Sequence, residues 1–259
     1  MQLLWSKPIP CSNPWTPMLA GIFTRHDGLP VFFWKEEKRC AMLPSGTDAP
    51  VLYAPPIPGL SLPCSWYLLE EQSLLLLTDR YAVDLDCLRI VPHTYPLPRK
   101  EAYPSFMLGD YRIDYNGGHT LTCTRDGEPL WRFKIQAYLY TRTPITQCGD
   151  TILFGTSGNG GHFYILRLET GETVADVRTG GTIHFAQADG RCYVLADAPK
   201  AKLLQIDIAT GRILEELPLP GKSADCSLRL LDGQVHAITY QFKSGRLTGA
   251  MWHCVDVHA

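Results

Sequence analysis

The chain has 259 residues, with 24 Lys and Arg against 26 Asp and Glu, a net charge of −2; no cationic excess steers it toward a phosphate backbone, and charge-driven nucleic-acid binding is disfavoured. Apolar residues make up 45% and charged residues 19%, with 22 Gly and 20 Pro spread throughout, which argues against disorder and against a helix-dominated fold. The longest strongly apolar run, residues 73–78, falls far short of the roughly 20 needed to span a bilayer, and residues 1–8 lack the pattern of a signal peptide, so neither membrane insertion nor export is expected.

In chain order, residues 3–9 read as a lone apolar strand. Two faint units follow, one over 20–54 with turns at Asp27-Gly28 and Ser45-Gly46, the other over 64–94 with turns at Asp79 and Asp86. A clear unit starts at Gly109-Asp110: strand 111–115, turn Asn116-Gly117-Gly118, strand 119–124, turn Asp126-Gly127, strand 129–133. The next two repeat it, with runs 151–155, 162–168 and 173–177, then 191–195, 203–208 and 213–217. The last opens at 226–230, turns at Asp232-Gly233, continues through 234–240 and ends on a third run at 250–257 without a fourth. Short apolar runs punctuated by Gly and Asp turns predict antiparallel strands joined by hairpins.

The turn after each third strand falls at Gly46, Asp86, Gly127, Gly171 and Gly211, a spacing of 40, 41, 44 and 40 residues. This is the period of four-stranded propeller blades. The orphan segment Leu3-Leu4-Trp5-Ser6 looks like the fourth strand Leu130-Trp131-Arg132-Phe133, so the N-terminal strand is expected to complete the last unit and cover two otherwise open sheet edges. The expected fold is therefore all-β: a six-bladed β-propeller closed by the N-terminal strand, in one domain over residues 1–259, at about 43 residues per blade. Seven blades, at about 37 residues each, is the alternative.

The Leu/Ile-rich third strand, then Glu169-Thr170-Gly171-Glu172 or Ala209-Thr210-Gly211-Arg212, then a short fourth strand, resembles the repeat of the quinoprotein alcohol-dehydrogenase-like propellers, the pyrroloquinoline-quinone-like repeat. The resemblance is loose over nearly all the chain and good over 103–218, and it implies architecture rather than chemistry. The vicinal cysteines of the quinone enzymes have no counterpart here, so no quinone cofactor is expected. The punctuation of Trp-Asp repeat propellers is missing apart from Gly118-His119 and Gly161-His162.

Chemical motifs are weak. Nine single cysteines, with no C-x-x-C pair, predict reduced thiols in a cytoplasm, most of them buried as small hydrophobes, with Cys11 in a Pro-rich stretch the thiol most expected to be exposed. The Gly155–Gly161 run invites a phosphate-loop reading, but a strand follows it rather than a helix, so a hairpin loop is expected. Eight histidines include no metal-binding pair, and His119 and His162, equivalent in successive units, are expected to pack or to bond turns. Asp79, Asp84 and Asp86 do not follow a calcium loop. No metal, no cofactor and no catalytic residue is assigned.

In a propeller, the connections leading into each new blade share one face with the turns between second and third strands. On that face the longer connections carry Trp15, Arg99, Tyr103, Tyr138, Tyr140 and Arg142, aromatic and guanidinium groups suited to recognition. The expectation is a non-catalytic, monomeric scaffold that binds a protein or peptide there. The alternative is a small-ligand receptor or hydrolase-type enzyme in the central funnel, where His184, Asp225, Tyr103 and Arg142 converge; Glu101 is a further acid in such a loop.

Overall fold

The computed structural model describes residues 1–10, 21–36, 39–46, 50–53, 67–97, 104–139, 145–157, 160–180, 184–196, 200–221, 228–244 and 246–258. They form strands arranged in six antiparallel sheets, each following chain order but one. Strand β1 (Gln2–Ile9) stands apart from its neighbours in sequence. Sheet I holds β2 (Gly21–Thr24), β3 (Pro30–Glu36), β4 (Arg39–Pro44) and β5 (Leu52–Tyr53); sheet II holds β6 (Tyr67–Leu69), β7 (Leu74–Leu76), β8 (Tyr81–Asp84) and β9 (Arg89–Pro92). Sheet III holds β10 (Ser105–Leu108), β11 (Tyr111–Tyr115), β12 (Thr120–Arg125) and β13 (Glu128–Lys134).

In sheet IV, β14 (Tyr138–Leu139) and β15 (Thr146–Cys148) share one edge of β16 (Thr151–Ser157), followed by β17 (Gly161–Arg167) and β18 (Thr173–Gly180). Sheet V holds β19 (His184–Ala188), β20 (Arg191–Ala196), β21 (Lys202–Asp207) and β22 (Ile213–Pro218). Sheet VI holds β23 (Leu228–Leu231), β24 (Gln234–Lys243) and β25 (Arg246–Asp256), with β1 as its fourth strand. There β1 runs antiparallel to β25, from Gln2 opposite Asp256 to Ile9 opposite Ala250. Trp5 lies opposite Cys254 just as Trp131 lies opposite Cys123 in sheet III.

Asp126-Gly127, Asp189-Gly190 and Asp232-Gly233 are two-residue hairpin loops with both φ values positive, the turn whose twist matches the flanking strands. Strands β16 and β17, on either side of the glycine run read from the sequence, pair antiparallel, as expected of a hairpin.

The interior lies between the sheets, and the middle strands are covered on both faces. In β3, Val31 and Phe33 pack toward sheet II with Leu75 and Val83, whereas Phe32 and Trp34 pack toward sheet VI with Ile238 and Trp252. In β17, Tyr164 and Leu166 face sheet III while Phe163 and Ile165 face sheet V. Strands covered on both sides read as unbroken apolar runs rather than as alternation. Sheets V and VI meet through Tyr193, Leu203, Val235 and Val255. Burying each such side chain contributes about 1.5–3 kcal/mol.

Turns of one sheet also lock onto the outer strand of the preceding one. Gly171 has φ +70, and a Cβ there would come within 2.7 Å of Trp131 Cγ; Trp131 Nε1 donates to Leu168 O at 2.8 Å. Gly211 has φ +71 and sits against Val174 O, with Ala175 Cβ 2.9 Å from where its own Cβ would be. Trp131 and Ala175 hold corresponding places in their sheets, so one contact serves two junctions.

Candidate functional site

Of the residues singled out from the sequence, Tyr138 and His184 fall within the described residues; Trp15, Arg99, Tyr103, Tyr140, Arg142 and Asp225 lie outside them, as do Glu101 and Cys11. His184 opens β19, opposite Leu195, and is half-buried. Tyr138 belongs not to an open loop but to β14, which pairs with the end of β16 through Tyr138 opposite Ser157. Its side chain is 58% exposed, and its ring lies 4.7 Å from that of His119. His119 immediately precedes β12, and its Nδ1 is 2.5 Å from Ala137 O. His119 and Ala137 both hold left-handed backbone, φ 65 and 60, a conformation costly for residues with a Cβ. Two strained residues, bonded to each other, thus hold up an exposed aromatic ring. This bond gives His119 the turn-binding role expected; His162 instead bonds across its sheet, with Nδ1 2.5 Å from Asp176 Oδ1 and its ring stacked on Tyr164.

A second constellation lies at the opposite ends of the strands, where sheets VI and I meet. Its cavity, about 360 Å³, is lined by Trp5 of β1, Pro30, the Ser45-Gly46 turn after β4, Leu231 and Asp232 of the β23–β24 turn, and Gln234 and His236 of β24. Trp5 meets the fully buried Trp252 edge-on at 5.5 Å. Lys7, 6% exposed, places Nζ 5.6 Å and 5.2 Å from the two indole centroids and donates to Pro44 O at 2.7 Å and to Gly46 O. The ammonium thus ties β1 to the neighbouring sheet through carbonyl oxygens and ring faces.

His236 is 3% exposed, and burial pulls its pKa down to about 4, so the ring is neutral at physiological pH. Its Nδ1 is buried without a hydrogen-bond partner, as is Trp252 Nε1. Burial raises the Cys254 thiol to about 11, helped by Asp256, and Sγ donates to Gln234 Oε1 at 3.1 Å. Because that proton is spent on Gln234, His236 Nε2, 4.0 Å from Sγ, carries its own proton and Nδ1 keeps its lone pair. That bare Nδ1 is closed off from solvent, beneath the cavity wall.

Behind it, His253 is fully buried and likewise lowered to about 4 by burial. Thr239 donates to Pro220 O and so accepts from His253 Nε2 at 2.7 Å, which leaves Nδ1 to accept from Ser6 Oγ at 2.7 Å. The chain of bonds runs from β1 through β25 and β24 to the segment after β22. These residues were recognisable only in part: Trp5 stands out as the counterpart of Trp131, whereas His236 is one histidine among eight until three distant segments converge on it.

Elsewhere the acids serve turns and junctions. Asp84 Oδ1 accepts from the backbone N–H groups of Asp86 and Cys87, and Asp86 receives the His26 backbone N–H and lies 2.6 Å from His26 Nδ1. That hydrogen bond, with a second to Glu71 O, holds the His26 pKa above its ordinary value. Cys40, Cys123, Cys192 and Cys254 are buried thiols in no disulfide, while Cys87 is exposed. Among the described residues no three His, Cys, Asp or Glu side chains gather for a metal, and no helix is long and apolar enough to cross a membrane.

No family model matches the chain, and no curated protein matches it. Solved structures do. BBS1N, solved in complex with ARL6DN, aligns over 99% of this chain and 96% of its own with a TM-score of 0.58 at 11% identity. BamB from Moraxella catarrhalis aligns over 92% and 83% with a TM-score of 0.49 at 11% identity, and the WD40 beta propeller domain of Doa1 over 98% and 96% with 0.44 at 11%. The fold is a β-propeller. At such identities the likeness speaks to architecture, and the relation to the quinoprotein repeat stays at the level of that architecture.

Proposed function

We propose that the six sheets are the six blades of one propeller domain, with β1 supplying the outer strand of the last, and that the domain is a non-catalytic scaffold gripping a protein or peptide through the face that presents Tyr138. The observation that carries this reading is the Tyr138 platform. A tyrosine 58% exposed, with its ring 4.7 Å from that of His119 and tilted against it, and held by two left-handed residues, is a rigid aromatic anchor of the kind that dominates interface energetics. On this reading the sequence candidates Trp15, Arg99, Tyr103, Tyr140 and Arg142 add aromatic and guanidinium groups to the recognition. BBS1N was itself solved holding ARL6DN, a use that the shared architecture permits. Cysteines in no disulfide at each described position suit a reducing compartment such as the cytoplasm.

A photo-crosslinking residue in place of Tyr138 in living cells, compared with the same residue in place of Leu214 on outer strand β22, tests the proposal. The expected result is one discrete covalent adduct at position 138 and none at 214. Adducts at both positions, or at neither, would count against this face.

A further inference from the structure

We infer that Asn116, in the turn between β11 and β12, is a site of spontaneous deamidation, and that the isoaspartate formed there takes apart the Tyr138 platform; its bearing on function rests on the recognition role proposed for that ring. The reaction needs a side-chain amide, a neighbouring peptide nitrogen free to attack it, and no side chain in the way. Asn116-Gly117 supplies all three. Asn116 is exposed, and Gly117, at φ +73, brings no Cβ. The Gly117 N–H meets no acceptor among the described residues, although its neighbours are engaged: Asn116 N–H donates to Thr120 O at 3.3 Å, and Gly118 N–H to Asn116 Oδ1 at 2.9 Å. The ring closed by that last bond contains both Asn116 Cγ and Gly117 N, so the side chain is folded back along the peptide whose nitrogen attacks it.

In the first step Gly117 N gives its proton to hydroxide and bonds to Asn116 Cγ. Negative charge gathers on Oδ1, where the Gly118 N–H already donates, as a donor aimed at an oxyanion does. The Cγ–Nδ2 bond then breaks, and ammonia leaves with a proton from water, which restores hydroxide and leaves a five-membered succinimide. Water opens that ring at one of its two carbonyls. Attack at Cγ gives aspartate, and attack at the main-chain carbon gives isoaspartate; either way an amide nitrogen is exchanged for oxygen, and nothing is oxidised or reduced. Isoaspartate routes the main chain through Cγ and so lengthens it by a methylene, three residues before His119. The His119 ring, bonded to Ala137 O, is what the Tyr138 ring rests against, so the added length moves the support from beneath it.

The test is to age the full chain in mildly alkaline buffer, folded and in urea, and to digest it with trypsin. Asn116 is the sole side-chain amide in the fragment 113–125, and Asn159, which opens a second Asn-Gly-Gly-His run, falls in another fragment. Fragment 113–125 of the folded chain is expected to exchange its amide, with isoaspartate exceeding aspartate, no more than about tenfold slower than in urea. The NMR cross-peak between the His119 and Tyr138 rings should fall in step with isoaspartate. Asn116→Gln, whose longer side chain disfavours ring closure, should preserve the cross-peak through the same ageing. Asn116→Asp, the product without the added methylene, should retain it from the start. If Asn116→Gln disturbs the turn, Asn116→Asp and the unaltered chain decide the matter. Deamidation confined to the urea sample, or a cross-peak that survives in isoaspartate-bearing protein, would overturn the inference. A partner held equally by fresh and fully aged chain would count instead against the recognition reading, because the modification is scored without any partner.

Discussion

The junction of sheets IV and V and that of sheets VI and I solve the same packing problem by different means. Between IV and V, Leu153, Phe163 and Ile165 meet Cys192, Val194 and Leu204 in an apolar layer, and the Gly211 turn rests against Val174. Between VI and I, Trp5, Trp34 and Trp252 pack with Lys7 and His236 beside the apolar layer, while within sheet VI the Ser6–His253–Thr239 chain links β1, β25 and β24. The first junction joins segments near in sequence. Beside the second, sheet VI must itself bring β1 to β25, some 250 residues away, at the cost of closing a long loop and with no turn to set the register. Directional bonds from Ser6 and Lys7 take over that task, and their price is polar groups out of water.

The contrast should show most sharply in acid. His236 and His253 have folded pKa values of about 4 against 6.5 unfolded, so the unfolded chain takes up protons that the folded chain refuses. Stability is full above about pH 6.5 and falls as pH drops toward 4, by about 3 kcal/mol for each histidine. Urea denaturation across that window should find the loss, and if it is absent these rings are not buried as described. Trp252→Ala at neutral pH is expected to cost about 3–5 kcal/mol in the same assay, since the indole is fully buried.

At the apolar junction, Gly211→Ala should cost about 1–3 kcal/mol, because its Cβ would meet Val174 O and its φ is positive. Tyr138→Ala should change stability by less than about 0.5 kcal/mol while abolishing partner binding, which separates recognition from packing. Smallest is the exposed His26–Asp86 pair. The raised His26 pKa adds stability below its unfolded value of 6.5 and loses it as pH rises through the folded value, so Asp86→Asn should flatten a slight alkaline decline. NMR titration of the His26 ring would detect this most directly.

Much of the architecture was readable because turns punctuate it. Gly171 and Gly211 announce themselves through spacing, and the structure adds why glycine is needed there: the previous sheet stands where a side chain would be. The Trp5 strand was readable as the missing fourth run. β14 was not, since two residues are too few to show a period. The cavity was equally hidden. Positions 5, 45, 232 and 236 carry no shared motif, and the value of His236 lies in an Nδ1 left without a partner after folding, a property of placement rather than of residue type.

The double-sided burial of β3 carries a consequence for how errors are avoided. In a half-exposed strand, a one-residue slip throws apolar groups into water and is corrected by solvation. In β3 the same slip would merely exchange one set of apolar neighbours of Val31, Phe32, Phe33 and Trp34 for another. Solvent cannot proofread such a strand. The discrimination falls to side-chain volume, an indole offered to a space shaped for a phenyl ring, and to the hairpins that clamp each end, so substitutions that equalise sizes along 31–34 would blur alignment long before they lower hydrophobicity.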